Sequence, residues 1–166
     1  DAIFFTFTKN KTLNTLNNYE MFSKEEAALV RKEFWLSFAK SFPKKWLLYN
    51  TKIKGFSFKF HADRNAALVL LDIEPKSDAK RTLLYEQLQA LQPILTENYL
   101  PEIVFSENYR VASGKEVSRI YTALPSSFNI YNKNTWPKAF EFFNEKMSLF
   151  ERFFFEYERF IKEADF

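Results

Sequence analysis

The sequence contains no cysteine, which excludes disulfides, thiolate metal sites and a cysteine nucleophile. Its one histidine, His61, excludes any site that needs two imidazoles. Two glycines, Gly55 and Gly114, are too few for the Gly-rich loops that cradle phosphates in P-loop or dinucleotide folds. No apolar run approaches the ~18 residues of a membrane span, and no basic-then-apolar leader opens the chain. The expectation is a cytoplasmic protein with no membrane association and no metal or other cofactor. The chain starts at Asp1 without a Met, which reads as a processed or excised piece with Met21 as a candidate natural start.

What is abundant is the aromatic ring: 21 Phe, 8 Tyr and 3 Trp make up 19% of the residues. The rings concentrate near the C-terminus. Trp136, Phe140, Phe143, Met147, Phe150, Phe154, Tyr157 and Ile161 follow alternating steps of four and three, the spacing of one helical stripe. Ala139, Phe142, Leu149, Phe153 and Phe160 form a second stripe beside it. The spacing predicts one helix of about eight turns with half its circumference apolar. Glu141, Asn144, Glu145, Ser148, Glu151, Arg152, Glu158, Arg159, Lys162 and Glu163 are left for water. Such a rod needs a broad surface beneath it.

The rest of the chain reads as that surface. Residues 1–21 are a polar arm of low order, in which Ile3-Phe4-Phe5-Thr6-Phe7-Thr8 is a candidate edge strand. Ser23-Lys24-Glu25-Glu26 is a capping box opening a helix that Pro43 stops, with Ala27, Val30, Phe34, Phe38 and Phe42 on one face. Phe56, Phe58 and Phe60 alternate with Ser57, Lys59 and His61, as a half-buried strand does. His61 itself reads as a solvated residue beside the turn. Ala66 to Ile73 is almost wholly apolar, so its strand is central. Ser77 or Asp78 caps a helix carrying Ala79, Leu83, Leu84, Leu88 and Leu91, which Pro93 kinks or ends. Residues 102–111 and 116–124 form a second hairpin, 128–131 a short strand, and Asn134 or Thr135 caps the long helix. The expected fold is a single α+β domain over 22–166, in the order α-β-β-α-β-β-β-α. Its mainly antiparallel sheet has about five strands and is covered on one face by helices.

Several stretches carry a resemblance: Trp46-Leu47-Leu48-Tyr49-Asn50, Gly55-Phe56-Ser57-Phe58, Gly114 to Tyr121, and Tyr131-Asn132-Lys133-Asn134-Thr135-Trp136. From these the chain, over about residues 22–164, resembles a bacterial family, the domain of unknown function numbered 4268. The resemblance implies a bacterial origin and a nucleic-acid context, because family members also occur behind nuclease-like domains. It implies no catalytic residue.

Three constellations are candidates for function. Asp72-Ile73-Glu74-Pro75-Lys76, at a strand exit, matches the Glu-x-Lys of metal-dependent nucleases, in which carboxylates hold the ion and the lysine helps activate water. Asp63 lies at the opposite end of the hairpin and does not complete it; ordinary solvated charges are the simpler reading. Lys44, Lys45, Trp46, Lys52, Lys54 and Lys59, with Tyr49, mix cations and rings as single-stranded nucleic acid requires. Residues 1–60 hold 11 Lys/Arg against 5 Asp/Glu, so the basic excess is N-terminal; a half-buried strand and a basic neighbour for an acidic helix are the simpler readings. Phe155 lies opposite the apolar stripes and Trp35 beside Phe34, which makes both candidates for a partner surface. Arg119, within a strand, needs an ion-pair partner, with Glu116 and Glu107 as candidates. The function expected is a non-enzymatic interaction module that binds protein or a second copy of itself. A nucleic-acid-binding domain is the alternative, and a metal-dependent nuclease the second alternative.

Overall fold

The computed structural model describes residues 22–166; the arm at 1–21, with its candidate edge strand and Met21, lies outside the described residues. Helix α1 (Lys24–Ser41) starts at the capping box. Ser23 Oγ accepts from the Glu26 N–H at 3.1 Å, and the Glu26 carboxylate accepts from the Ser23 N–H at 3.3 Å, so two otherwise orphaned donors are satisfied. Strands β1 (Phe56–Ala62) and β2 (Ala67–Ile73) form an antiparallel hairpin. Asp63 closes it by accepting from the N–H groups of Asn65 and Ala66. Helix α2 (Asp78–Ala90) is capped by Ser77. Pro93 sits in the first turn of α3 (Gln92–Asn98), so the proline that ends one helix begins the next. Strands β3 (Val104–Arg110) and β4 (Glu116–Ala123) follow, and after the 3-10 turn Lys133–Thr135 comes α4 (Trp136–Lys162), unbroken over 27 residues.

The sheet has four antiparallel strands in the order β1-β2-β4-β3, not about five. The expected strand at 128–131 is absent because other partners take its backbone. Ile130 N–H donates to Asp63 C=O and Asn132 N–H to Asn129 C=O. Tyr131 N–H donates to Asn129 Oδ1, and Ile130 C=O accepts from Trp136 Nε1. A segment so engaged in turns has nothing left for a ladder.

β2 is central and buried along its whole length. Its Ala67, Val69, Leu71 and Ile73 join a core to which all four described helices contribute. Leu68, Leu70 and Asp72, at the alternate positions, point to the other face, which carries no described helix. On the covered face, rings meet rings mostly tilted or edge to face. Phe58 lies 5.0 Å from Phe150 and 5.6 Å from Phe154, Phe60 5.0 Å from Phe143, and Phe34 5.2 Å from Trp136. These geometries set the positive edge of one ring against the negative face of the next. Glu151 corrects the sequence reading: it is buried, because the segment before β1 crosses over it and Leu47 N–H donates to its carboxylate at 2.6 Å. No described helix is long and apolar enough to cross a membrane.

Candidate functional site

The register of the sheet assembles a chain of alternating charges on the open face. Asp72 lies opposite Arg119 across β2 and β4, and the Arg119 guanidinium grips it through Nε at 2.7 Å and Nη2 at 3.0 Å. Lys59 Nζ bridges Asp72 and Glu74, 3.0 Å from each, and Lys115 Nζ donates to the other Glu74 oxygen at 3.0 Å. Arg119 also lies over the Tyr109 ring, 4.3 Å from its centre. The partner of Arg119 is therefore Asp72, not Glu116 or Glu107. Glu116 lies an odd number of positions from Arg119 on the same strand, so it faces the other way and pairs with Arg110. Burial pushes the Glu74 carboxyl up, but the bonds and charges of Lys115 and Lys59 outweigh it and hold its pKa below the ordinary range. Burial likewise works against the Lys59 ammonium, and its bonds to Glu74 and Asp72 raise its pKa in spite of that.

Of the Asp72, Glu74 and Lys76 constellation, the structure brings the two carboxylates together and leaves the lysine out. Lys59 stands between them instead, and among the described residues Lys76 makes no hydrogen bond or ion pair. The described residues contain no group of three or more His, Cys, Asp or Glu placed to hold a metal ion. His61, on β1 rather than in a loop, is half-exposed and 2.8 Å from Asp63.

The basic segment is dispersed by the fold. Lys59 belongs to the charge chain, while Lys44 reaches Ser148 at 3.1 Å and lies 4.4 Å above the Trp46 ring. Trp46 packs on Phe38 and Phe60, so its ring is part of the core's rim. Lys45, Lys52 and Lys54 are exposed and make no ion pair among the described residues.

The arrangement that sequence reasoning missed lies along the outer edge of β1. Phe58 N–H turns away from β2 and donates to Leu48 C=O at 3.0 Å, so alternate residues of this strand direct their backbone groups outward. Phe56 is served there too: its N–H donates to Ile53 C=O, and its C=O accepts from Thr51 Oγ1 at 2.6 Å. The loop reaches no further. Phe58 C=O, Phe60 N–H and Phe60 C=O have no partner on that side among the described residues. Beside them runs a groove of about 360 Å³ lined by Trp35, Leu48, Tyr49, Ser57, Phe58, Lys59 and Phe60. Trp35 stacks on Phe143 at 5.8 Å and offers the groove its free side, while Tyr49 is 76% exposed. The opposite edge, β3, is interrupted by a bulge between Ser106 and Tyr109, a device that discourages pairing.

The loop is bent to make this edge. Leu48 has φ 49°, Lys52 φ 65° and Gly55 φ 71°. Left-handed backbone costs a side-chain-bearing residue on the order of 1 kcal/mol. Gly55 has a second reason to lack a side chain, since a Cβ there would stand 2.5 Å from the Pro75 backbone. Glu151 anchors the same loop from α4 through Leu47, and its burial raises its carboxyl pKa against the opposing pull of Leu47 N–H and Lys44. The signals for this site in the sequence are Gly55 and the run of residues 40–60, which holds six lysines and no Asp or Glu.

Phe155 is exposed on the outer side of α4, as the spacing predicts, among Glu156, Glu158, Arg159, Lys162 and Glu163.

Together these features define a one-sided α+β domain with one blunted and one partly open sheet edge. Over residues 30–158 the chain matches the family model described as Domain of unknown function (DUF4268). That is more than half of its length, and the chain belongs to this family. No curated protein and no solved structure matches the chain.

Proposed function

We propose that this domain is a non-enzymatic interaction module of a bacterial cytoplasm that binds a partner protein by taking an extended segment of it as an added strand on β1. The observation that carries the reading is the unserved half of the β1 edge, Phe58 C=O to Phe60 C=O, set beside a groove walled by Trp35, Leu48 and Tyr49. Backbone groups supply affinity in this mode of recognition, and the groove supplies pockets for alternate side chains. A nucleic acid has no strand of N–H and C=O groups to offer this edge, so the edge favours a protein partner. Nuclease chemistry at Asp72, Glu74 and Lys76 draws no support from a network in which Arg119, Lys59 and Lys115 already occupy the carboxylate oxygens. Self-association through Phe155 rests on one exposed ring in mixed charge.

A random peptide library displayed on phage and panned against the full chain tests the reading. Sequences that alternate apolar residues and lack Pro are expected to enrich, and Tyr49→Ala or Trp35→Ala to abolish their retention. No enrichment, or enrichment indifferent to both changes, contradicts it.

A further inference from the structure

Resting on the edge-docking reading above, we infer that the segment taken by β1 is acidic, with carboxylates at alternate positions on the open-face side. A strand added to β1 continues its pleat. Every second side chain then drops into the groove between Trp35 and Phe60, where rings and Leu48 call for an apolar group. The side chains between them point to the open face, beside Lys59. The Lys59 ammonium has three donors, of which Asp72 and Glu74 take two. The third is free for an acceptor from outside, and the side chain is 45% exposed.

The charge around the groove points the same way. Residues 40–60 carry six lysines without one acidic residue. Of these, Lys45, Lys52 and Lys54 are exposed and make no ion pair among the described residues, whereas Lys40 lines a separate hollow with Leu29 and Leu36. The loop that supplies Leu48 and Tyr49 to the groove continues directly into Lys52 and Lys54. Lys52 holds a left-handed conformation that glycine adopts without cost. Among the described residues its ammonium makes no hydrogen bond or ion pair that offsets this. The same charges oppose pairing between two copies, since edge-to-edge β1 strands would bring two such segments together.

The test uses blocked octapeptides alternating valine with glutamate, serine or lysine, and a thymidine oligonucleotide, each titrated into the full chain at low and physiological salt. The glutamate peptide is expected to bind about tenfold more tightly than the serine peptide at low salt, with the lysine peptide weakest. That preference shrinks as salt screens it. Lys52→Glu with Lys54→Glu, both on the surface, is expected to erase it, and Tyr49→Ala to weaken the glutamate and serine peptides alike. Equal binding of glutamate and serine peptides, both weakened by Tyr49→Ala, overturns the acidic preference and leaves the docking groove standing. Binding of no peptide overturns both, and tight binding of the oligonucleotide in their place assigns the lysines to nucleic acid.

Discussion

The two faces of this sheet are stabilised by different physics. On the covered face, contact is between rings: Phe56, Phe58, Phe143, Phe150, Phe153 and Phe154 are all fully buried, and dispersion and water exclusion hold them. On the open face, Leu68, Leu70 and Val117 are buried outside that core with no described helix above them. Beside that strip run the linked charges of Arg119, Asp72, Lys59, Glu74 and Lys115. A ring core tolerates no loss of volume, and an ion-pair network tolerates no loss of one partner. The open face also leaves the strand edge at its margin reachable, so the face that looks least finished is the one beside the proposed docking site.

The contrast is broken most severely from the covered side. Phe150→Ala, which removes a ring packed on Phe58 and Phe153, is expected to cost about 3–5 kcal/mol in chemical denaturation. On the open face, Asp72→Ala leaves Arg119 buried without its partner and is expected to cost about 3 kcal/mol. The double change Asp72→Leu with Arg119→Met is expected to recover most of that loss, because a well-packed apolar pair replaces a buried ion pair at little net cost. Equal losses in the single and double variants would show that the pair is not what holds this face. Smaller again is Gly55→Ala, at about 2 kcal/mol from left-handed backbone and close approach to Pro75.

Titration separates two carboxylates by sign. Glu74 has a folded pKa below its ordinary 4.5. Its stabilisation is present above 4.5 and is lost as pH falls through the depressed value. Glu151 has a folded pKa above its ordinary 4.5. Its contribution is full below 4.5 and is lost as pH rises through the elevated value. Stability measured against pH is therefore expected to fall less on the acid side in Glu74→Gln, with the depressed carboxyls of Glu33 and Asp63 still contributing, and to lose the Glu151 share of the decline above 4.5 in Glu151→Gln. The smallest effect belongs to Tyr49→Ala, which is expected to change stability by less than about 0.5 kcal/mol while weakening peptide binding.

Most of the covered face was legible in the chain itself. The step-of-three-and-four rhythm from Trp136 to Ile161, the Ser23–Glu26 box and the all-apolar β2 are local patterns, and each produced the element it predicts. What escaped were contacts between distant residues. Glu151 looks wet on a helical wheel and is dry because Leu47, far back in the chain, crosses it. The residues of 128–131 look like a strand, yet they spend their backbone on turns and on Asp63. Lys59 read as part of one candidate patch, and Asp72 with Glu74 as part of another. Only the pairing of β1 with β2 puts all three on one face, and only the pairing of β2 with β4 sets Arg119 against Asp72. The docking groove was the least legible, since it is made of a strand edge, one helix and a left-handed loop that no spacing rule joins.

The open edge is tested most directly by amide hydrogen exchange resolved at Phe58 and Phe60 in the full chain. Phe58 N–H, bonded to Leu48 C=O, is expected to exchange slowly. Phe60 N–H is expected to exchange much faster in the free protein and to slow to the rate of Phe58 when the glutamate–valine peptide saturates the groove. A Phe60 amide as protected as that of Phe58 before any peptide is added, or one unchanged after saturation, contradicts the account.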